Sequence, residues 1–149
     1  MRAERVIFLV EDNADDELLA MRALRKNNVA DRIEVARDGE EALSFLFKKT
    51  PRVEPSLILL DLKLPVVDGL EILRRIRADE RTKLLPVVVL TTSSEERDII
   101  ASYSLGANSY VRKPVDFEQF NEAVRQLGLY WLGINEKPPV RRFEEESAR

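Results

Sequence analysis

The chain contains no cysteine and no histidine among its 149 residues. The lack of cysteine excludes disulfides, thiol nucleophiles and thiolate metal ligands, and the lack of histidine excludes imidazole acid and base catalysis. Any chemistry must therefore use carboxylates, hydroxyl groups and lysine. The chain also lacks a strong charge, because its net charge is -3. Since Lys and Arg are spread along the chain instead of forming a stripe, the sequence predicts no nucleic-acid partner.

A long apolar run is missing at the N-terminus. Residues 1 to 17, MRAERVIFLVEDNADDE, contain a run of only five apolar residues, which acidic residues close. This run is too short for a signal peptide or a membrane span. We therefore expect no membrane association and a cytosolic location. The length suits one domain with a sizeable core.

Runs rich in β-branched and aliphatic residues predict five strands. They are VIFLV at 6–10, RIEVA at 32–36, LILL at 57–60, PVVVL at 86–90 and SYV at 109–111. The first, third and fourth runs are continuously apolar, which is typical of parallel strands that helices cover on both faces. Stretches with helical spacing lie between the runs. The sequence therefore predicts a (βα)5 order around a parallel sheet.

Four helix starts are predicted by a capping residue that is followed three positions later by an acid. The pairs are Asn13 with Asp16, Asp38 with Glu41, Asp68 with Glu71, and Ser93 with Glu96. An apolar face is predicted for each of these four helices. In chain order the faces are Leu18, Met21 and Leu24; Ala42, Phe45 and Leu46; Leu70, Leu73 and Ile76; and Ile99, Ile100 and Tyr103.

A last helix is predicted from about Asp116. Its apolar residues recur every three or four positions, at Phe117, Phe120, Val124, Leu127, Trp131 and Ile134. We expect the first four to pack against the sheet, whereas Trp131 fits a core edge and an interface equally well. Leu129, Tyr130 and Leu132 lie off this seam and predict a partner surface. Residues 1–134 form the predicted domain, and the charged segment 135–149 is predicted to be a disordered tail, too short for an output domain.

Polar residues follow four of the predicted strands at the point where each strand ends. In a doubly wound parallel sheet, ligands bind beyond the carboxyl ends of the strands. These residues are Glu11, Asp12, Asp61, Thr91, Thr92 and Lys113. Asp15 and Asp16 are interpreted instead as acids that stabilise the start of the first helix.

Neighbouring carboxylates at this edge need a positive charge. At 5 Å and an effective dielectric constant of 20, each pair repels by roughly 3 kcal/mol. A divalent cation or Lys113 can supply the charge, and a site made only of oxygen ligands suits Mg²⁺ or Mn²⁺. An ionised aspartate attacks phosphorus without a general base. Asp61 is the candidate nucleophile, and Lys113 and Thr91 are the groups that would stabilise the phosphoryl oxygens.

The chain resembles the receiver domain of two-component response regulators over residues 5 to about 133. The resemblance rests on VEDN at 10–13, LLDLKLPVVDG at 59–69, LTTS at 90–93 and YVRKP at 110–114. It implies a flavodoxin-like fold with strand order 2-1-3-4-5. It also implies a signalling module and not an enzyme. Such a module catalyses only its own phosphorylation and dephosphorylation.

By this resemblance Asp61 is the phosphoacceptor for a sensor histidine kinase, and Glu11 and Asp12 join it in holding Mg²⁺. The backbone carbonyl of Lys63 would be a further metal ligand. Thr91 is the switch hydroxyl, Tyr110 the aromatic residue that moves with it, and Lys113 the lysine that binds the phosphoryl group. A cis bond before Pro114 is also implied. Thr92 is larger than the residue often found there, and Lys63 and Ser93 occupy positions that tune hydrolysis.

A closer resemblance links the chain to small regulators that are paired with bacterial phytochrome histidine kinases. It rests on the ADDELLAMRAL start, the TPRVEPS loop and the LYWLGINEKPP ending. Such regulators often form homodimers through the fourth helix, fifth strand and fifth helix. The interface residues implied here are Tyr103, Leu129, Tyr130, Trp131 and Leu132.

Three other functions fit the sequence less well. An aspartate-nucleophile phosphatase would have a second aspartate two residues after the first, where this chain has Lys63. A receiver-like scaffold that no longer accepts phosphate is less consistent with the complete set of polar residues. A flavin-binding protein of the same fold would need a hydroxyl-rich and Gly-rich first loop, which is missing.

Overall fold

The structure is a computed structural model that describes residues 4–139. The strands are β1 (Val6–Val10), β2 (Arg32–Ala36), β3 (Leu57–Leu60), β4 (Val87–Thr91) and β5 (Ser109–Arg112). The helices are α1 (Ala14–Lys26), α2 (Gly39–Phe47), α3 (Gly69–Ala78), α4 (Glu96–Ser104), α5 (Phe117–Leu129) and a π-helical turn, Tyr130–Ile134. All strands pair in parallel in the order 2-1-3-4-5. The predicted flavodoxin-like α/β fold is therefore confirmed.

Continuous apolar strands are explained by a core on each face of the sheet. Successive side chains of a strand point to opposite faces. Phe8 and Ile58 pack with residues of α2 and α3 on one face. Leu9 and Leu59 pack with residues of α1 and α5 on the other. Every residue of β1, β3 and β4 is consequently buried.

Three of the four predicted helix caps are present. The side chains of Asn13, Asp38 and Asp68 each accept a hydrogen bond from the backbone N–H three residues later. The prediction for Ser93 is wrong, because α4 starts two residues further along, after Glu95. The Ser93 hydroxyl instead donates to Asp98 Oδ2 at 2.6 Å.

The predicted apolar faces hold for α2 and α3 but not throughout α1 and α4. Leu18 is 62% exposed, because α1 turns Ala20, Ala23 and Leu24 toward the sheet. Small alanines allow a close approach to the sheet, which spacing alone did not reveal. On α4, Ile100 and Tyr103 are exposed, whereas Asp98 and Ser102 are buried. The polar face of α4 is thus turned inward, where Ser93 contacts Asp98.

The seam predicted for the last helix holds in its middle and fails at both ends. Phe120 and Val124 are buried, and Leu127, Trp131 and Leu132 are half-buried against the α1 and α5 core. Phe117 and Ile134 are exposed. The π turn explains the change at the C-terminal end, because its wider spacing rotates later residues out of the α-helical register. Leu132 therefore packs against the core, contrary to its assignment to the off-seam surface, whereas Leu129 and Tyr130 are exposed.

The segment after the π turn returns to the loop before β3. The Lys137 ammonium donates to the Ser56 hydroxyl at 2.8 Å. Residues 140–149 lie outside the described residues, so the disorder predicted for 135–149 stays a prediction.

Within residues 4–139 the cis peptide bond is Thr50–Pro51, and the bond before Pro114 is trans, contrary to the expectation. The two isomers of an X-Pro bond differ by only about 0.5–1 kcal/mol, so residue type does not determine the isomer.

In the part of the chain that the structure describes, no helix has both the length and the apolar content to cross a bilayer.

Candidate functional site: an acidic cluster at the carboxyl edge of the sheet

Backbone hydrogen bonds fix the site residues where the strands end. The Glu11 N–H donates to Ala36, and the Asp61 N–H donates to Val10. Beyond β5, the Lys113 N–H donates to the Thr91 carbonyl at 2.7 Å. These bonds continue the sheet by one residue and bring side chains from four strand ends to one edge. Glu11, Asp61, Thr91 and Lys113 are all buried.

The Lys113 ammonium lies at the centre of the cluster. Its Nζ is 2.6 Å from Glu11 Oε1, 2.8 Å from Asp16 Oδ2 and 3.1 Å from Asp61 Oδ2. The contacts with Glu11 and Asp61 agree with the prediction that Lys113 faces the acids. The role of Asp16 was missed, because an acid in the first turn of a helix is ordinary and its N–H makes the expected cap bond.

The charges at the site are not balanced by lysine alone. Burial raises the pKa of Glu11 to about 7, and the charge of Asp61 adds to this effect although the hydrogen bond from Lys113 opposes it. Burial also acts to lower the pKa of Lys113, but hydrogen bonds to Asp16 and Glu11 outweigh burial and hold this pKa above its ordinary value. The single positive charge of the Lys113 ammonium is thus shared by several carboxylates. A second cation would relieve their remaining repulsion.

The donor set fits a divalent cation. Glu11, Asp12 and Asp61 each offer a carboxylate oxygen, and these oxygens lie within 4.8 Å of one another. Asp12 is exposed while the other two are buried, so the cluster opens to solvent on the Asp12 side. Hard cations such as Mg²⁺ and Mn²⁺ prefer such oxygen ligands. Lys63 borders the site through its N–H, which donates to Asp61 Oδ1 at 3.3 Å, and the metal contact of its carbonyl stays a prediction.

The switch candidates meet at Ser93. Thr91 is fully buried, and its Oγ1 accepts a hydrogen bond from the Ser93 N–H at 3.4 Å. The Tyr110 hydroxyl donates to the Ser93 carbonyl at 2.9 Å, while its half-buried ring packs against the core. Thr91 and Tyr110 are therefore connected through one backbone residue. Thr92 is exposed beside them.

Gly69 allows α3 to start directly against the backbone of Asp61. Its N–H donates to the Leu62 carbonyl at 3.0 Å. A Cβ atom at Gly69 would lie 2.3 Å from the Asp61 carbonyl oxygen and 2.6 Å from the Leu62 Cα. Both neighbours are backbone atoms, so they cannot move independently of the site. The motif containing Gly69 was recognised from the sequence, but this contact was not.

We expect Gly69→Ala to destabilise the fold by about 1–3 kcal/mol, the usual cost of overpacking. It should also weaken divalent-cation binding, because relief of the clash displaces Asp61. Urea unfolding and Mn²⁺ titration would measure the two effects. Gly133→Ala is the matched control, since an added Cβ there would contact no described atom beyond its chain neighbours and the backbone of its own helix. Equal stability and equal Mn²⁺ affinity in the two variants would contradict this account.

Comparison with known proteins identifies the family. Residues 7–125 match the response regulator receiver domain. The chain belongs to the response regulator receiver family.

Three relatives illustrate its breadth. A probable methanogenesis regulatory protein, FilR2 of Methanothrix harundinacea, is 44% identical, covering 89% of this chain and 87% of its own. Response regulator Rcp1 of Synechocystis is 40% identical over 86% of this chain and 89% of its own. The Mn²⁺-bound form of Rcp1 has a TM-score of 0.84 at 38% identity, with 91% of this chain and 99% of that chain covered. The phosphorylated cyanobacterial phytochrome response regulator RcpA has a TM-score of 0.86 at 40% identity, with 92% and 100% coverage.

Family membership makes this receiver domain a two-component signalling module with relatives among the phytochrome response regulators. Receivers bind divalent metal ions, as the Mn²⁺-bound relative does. The acidic cluster of this chain has the ligands for such an ion. Membership of this family favours the receiver over the phosphatase and flavin-binding interpretations.

Proposed function

We propose that this receiver accepts a phosphoryl group on Asp61 from the phosphohistidine of a sensor histidine kinase. The observation that carries the proposal is the position of the Asp61 carboxylate. It is buried, lies 3.1 Å from the Lys113 ammonium and shares an acidic cluster that suits a divalent cation. RcpA, which is similar along its whole length, is known in a phosphorylated form.

In the transfer step, the P–N bond to the donor imidazole breaks as a P–O bond to an Asp61 oxygen forms. The donor imidazole leaves and takes up a proton from solvent. Asp61 attacks as a carboxylate and needs no general base, which is consistent with a chain that lacks histidine. Lys113 would hold one phosphoryl oxygen by its charge, and the Thr91 hydroxyl would donate to another. Hydrolysis would later return Asp61 and inorganic phosphate, so the chain acts as a switch and not as an enzyme on other substrates.

The metal ion that we propose is Mg²⁺, with Mn²⁺ as a substitute. Glu11, Asp12, Asp61 and the Lys63 carbonyl would hold it. When bound, it supplies positive charge against the phosphoryl oxygens. Lys113 then has fewer carboxylates to neutralise, which leaves its ammonium available for the incoming group.

The proposed readout is the surface formed by α4, β5 and α5. A hydrogen bond from the Thr91 hydroxyl to the phosphoryl group would alter the contact between Thr91 Oγ1 and the Ser93 N–H. Tyr110 donates to the carbonyl of the same serine, so this change would also affect Tyr110. The partner kinase that we propose is a bacteriophytochrome, since the bacteriophytochrome response regulator AtBRR is 46% identical with 91% of this chain covered and a TM-score of 0.71, and the phytochrome response regulator RcpA is similar along its whole length. The location predicted for the chain, the cytosol, stays a prediction.

Incubation with acetyl phosphate and Mg²⁺ tests phosphoryl acceptance. We expect intact-protein mass spectrometry to detect one added phosphoryl group that is stable in acid and labile in base. Chelation with EDTA should prevent its formation, and Mn²⁺ should restore it. Reduction of the adduct with borohydride and peptide mapping should locate it at Asp61. An adduct at another residue, or none with either metal ion, would refute the proposal.

We also propose a homodimer through α4, β5 and α5. Tyr103 is 51% exposed on α4, and Leu129 and Tyr130 are exposed after the last buried turn of α5. Trp131 and Leu132 pack partly against the core, so they are poor test positions. We expect Tyr103→Ser combined with Tyr130→Ser to shift sedimentation toward monomer, whereas Leu84→Ser, on an unrelated exposed residue, should not. A wild-type monomer at high concentration, with and without beryllofluoride, would rule the dimer out.

A further inference from the structure

Helix α4 carries a buried carboxylate outside the acidic cluster. Asp98 is 7% exposed, although apolar residues of the same helix, such as Ile100, face solvent. Burial of a carboxylate costs several kcal/mol unless partners satisfy it. The position of Asp98 therefore calls for partners that hold it there.

Among residues 4–139, the Asp98 carboxylate has two side-chain partners, and they come from different loops. The Ser93 hydroxyl, in the loop before α4, donates to Asp98 Oδ2 at 2.6 Å. The Lys63 ammonium, in the loop after β3, lies 3.6 Å from the same oxygen. Asp98 thus connects the loops that follow β3 and β4.

Each partner also contacts a residue of the phosphorylation site. The Lys63 N–H donates to Asp61 Oδ1 at 3.3 Å. The Ser93 N–H donates to Thr91 Oγ1 at 3.4 Å, and the Ser93 carbonyl accepts from Tyr110. Asp12, Lys63 and Asp98 line one open cleft of about 400 Å³ beside the acidic cluster. Asp98 is therefore one residue removed from Asp61 on one side and from Thr91 on the other.

We propose that Asp98 is a positioning residue that holds Lys63 and Ser93 in the unphosphorylated arrangement and so opposes phosphorylation of Asp61. This inference rests on the proposed function of Asp61. Phosphorylation replaces the single charge of the Asp61 carboxylate with the roughly two negative charges of an acyl phosphate, and the phosphoryl group competes with Asp98 for the Lys63 ammonium. The same group would draw the Thr91 hydroxyl away from the Ser93 N–H.

Both changes loosen the loops on which the Asp98 contacts depend. A buried carboxylate with fewer partners raises the free energy of the phosphorylated state. The contacts of Asp98 therefore favour the unphosphorylated state, and their removal shifts the population toward the other state.

Asp98→Asn tests this role, because it keeps the shape of the side chain and removes the charge that attracts Lys63. We expect beryllofluoride, at saturating Mg²⁺, to bind this variant about fivefold more tightly than wild type, which is within the usual range of coupling between sites. Ser93→Ala, which removes the other partner, should also tighten beryllofluoride binding and serves if Asp98→Asn folds poorly.

Ser102→Ala is the matched control. Ser102 lies one turn further along the same buried face of α4, and among described residues its hydroxyl has no hydrogen-bond partner. We expect its beryllofluoride affinity to equal that of wild type. A merely structural Asp98 would give variants that are less stable and bind beryllofluoride no more tightly, and this result would overturn the proposal.

The failure of the two proposals can be told apart. If wild type binds no beryllofluoride, phosphoryl acceptance at Asp61 fails. The positioning role of Asp98 can then be tested in the metal-free protein by NMR measurement of the backbone amide resonances of Lys63 and Ser93. Asp98→Asn should move both resonances and Ser102→Ala should move neither. Unchanged resonances in Asp98→Asn would overturn the positioning role.

Discussion

Asp61→Asn is expected to abolish the acid-stable, base-labile adduct that acetyl phosphate forms in the presence of Mg²⁺. The amide is not a nucleophile at neutral pH, and it also removes one of the three carboxylates of the proposed metal site. The fold should persist, because Asn has the same shape and the backbone bond from Asp61 to Val10 remains. Intact-protein mass spectrometry measures the adduct, and thermal unfolding verifies the fold.

Asp15→Asn is the control for this experiment. Asp15 is an exposed acid in the first turn of α1, close in sequence to the acidic cluster. It should form the adduct as wild type does, since its charge contributes only the small dipole effect of a helix start. An adduct of equal amount and equal base lability in Asp61→Asn would refute the assignment of the phosphoacceptor.

Lys113→Ala is expected to destabilise the metal-free protein by about 3–5 kcal/mol, the usual cost when one member of a buried ion pair is removed. The ammonium contacts Glu11, Asp16 and Asp61, so its loss leaves these carboxylates to repel one another at the edge of the core. Saturating Mg²⁺ should restore part of this stability because the ion supplies the missing charge. Urea unfolding with and without Mg²⁺ measures both effects.

The same variant separates stability from phosphoryl binding. With Mg²⁺ saturating and the fold intact, phosphorylation by acetyl phosphate should still be slower by about 10²–10³, as when one donor to a developing charge is removed. Lys83→Ala is the matched control for stability, since its ion pair with Glu80 lies at the surface, where the two side chains are 37% and 63% exposed. We expect it to change the free energy of unfolding by less than about 1 kcal/mol. Equal stability of Lys113→Ala and wild type without metal would contradict the central role of Lys113.

Local patterns in the sequence determined most of the fold. The continuously apolar runs of β1, β3 and β4 require cover on both faces, and the structure buries all of them. Asn13, Asp38 and Asp68 start helices because their side chains bond to N–H groups only three residues away. Parallel strands bring their carboxyl ends to one edge of the sheet. The positions of Glu11, Asp61, Thr91 and Lys113 at strand ends were therefore enough to predict that these residues lie close together.

Only the tertiary structure determined which side chains touch at that edge. Asp16 reaches Lys113 from 97 residues away, and Asp98 connects Lys63 with Ser93 although nothing in the sequence of α4 marks it as buried. The close approach at Gly69 depends on how the start of α3 packs against the backbone of Asp61. Sequence patterns report local hydrogen bonds and the periodicity of burial. They do not report the direction in which a helix face turns or the long-range partner of a charged group, because those depend on how elements distant in the sequence pack together.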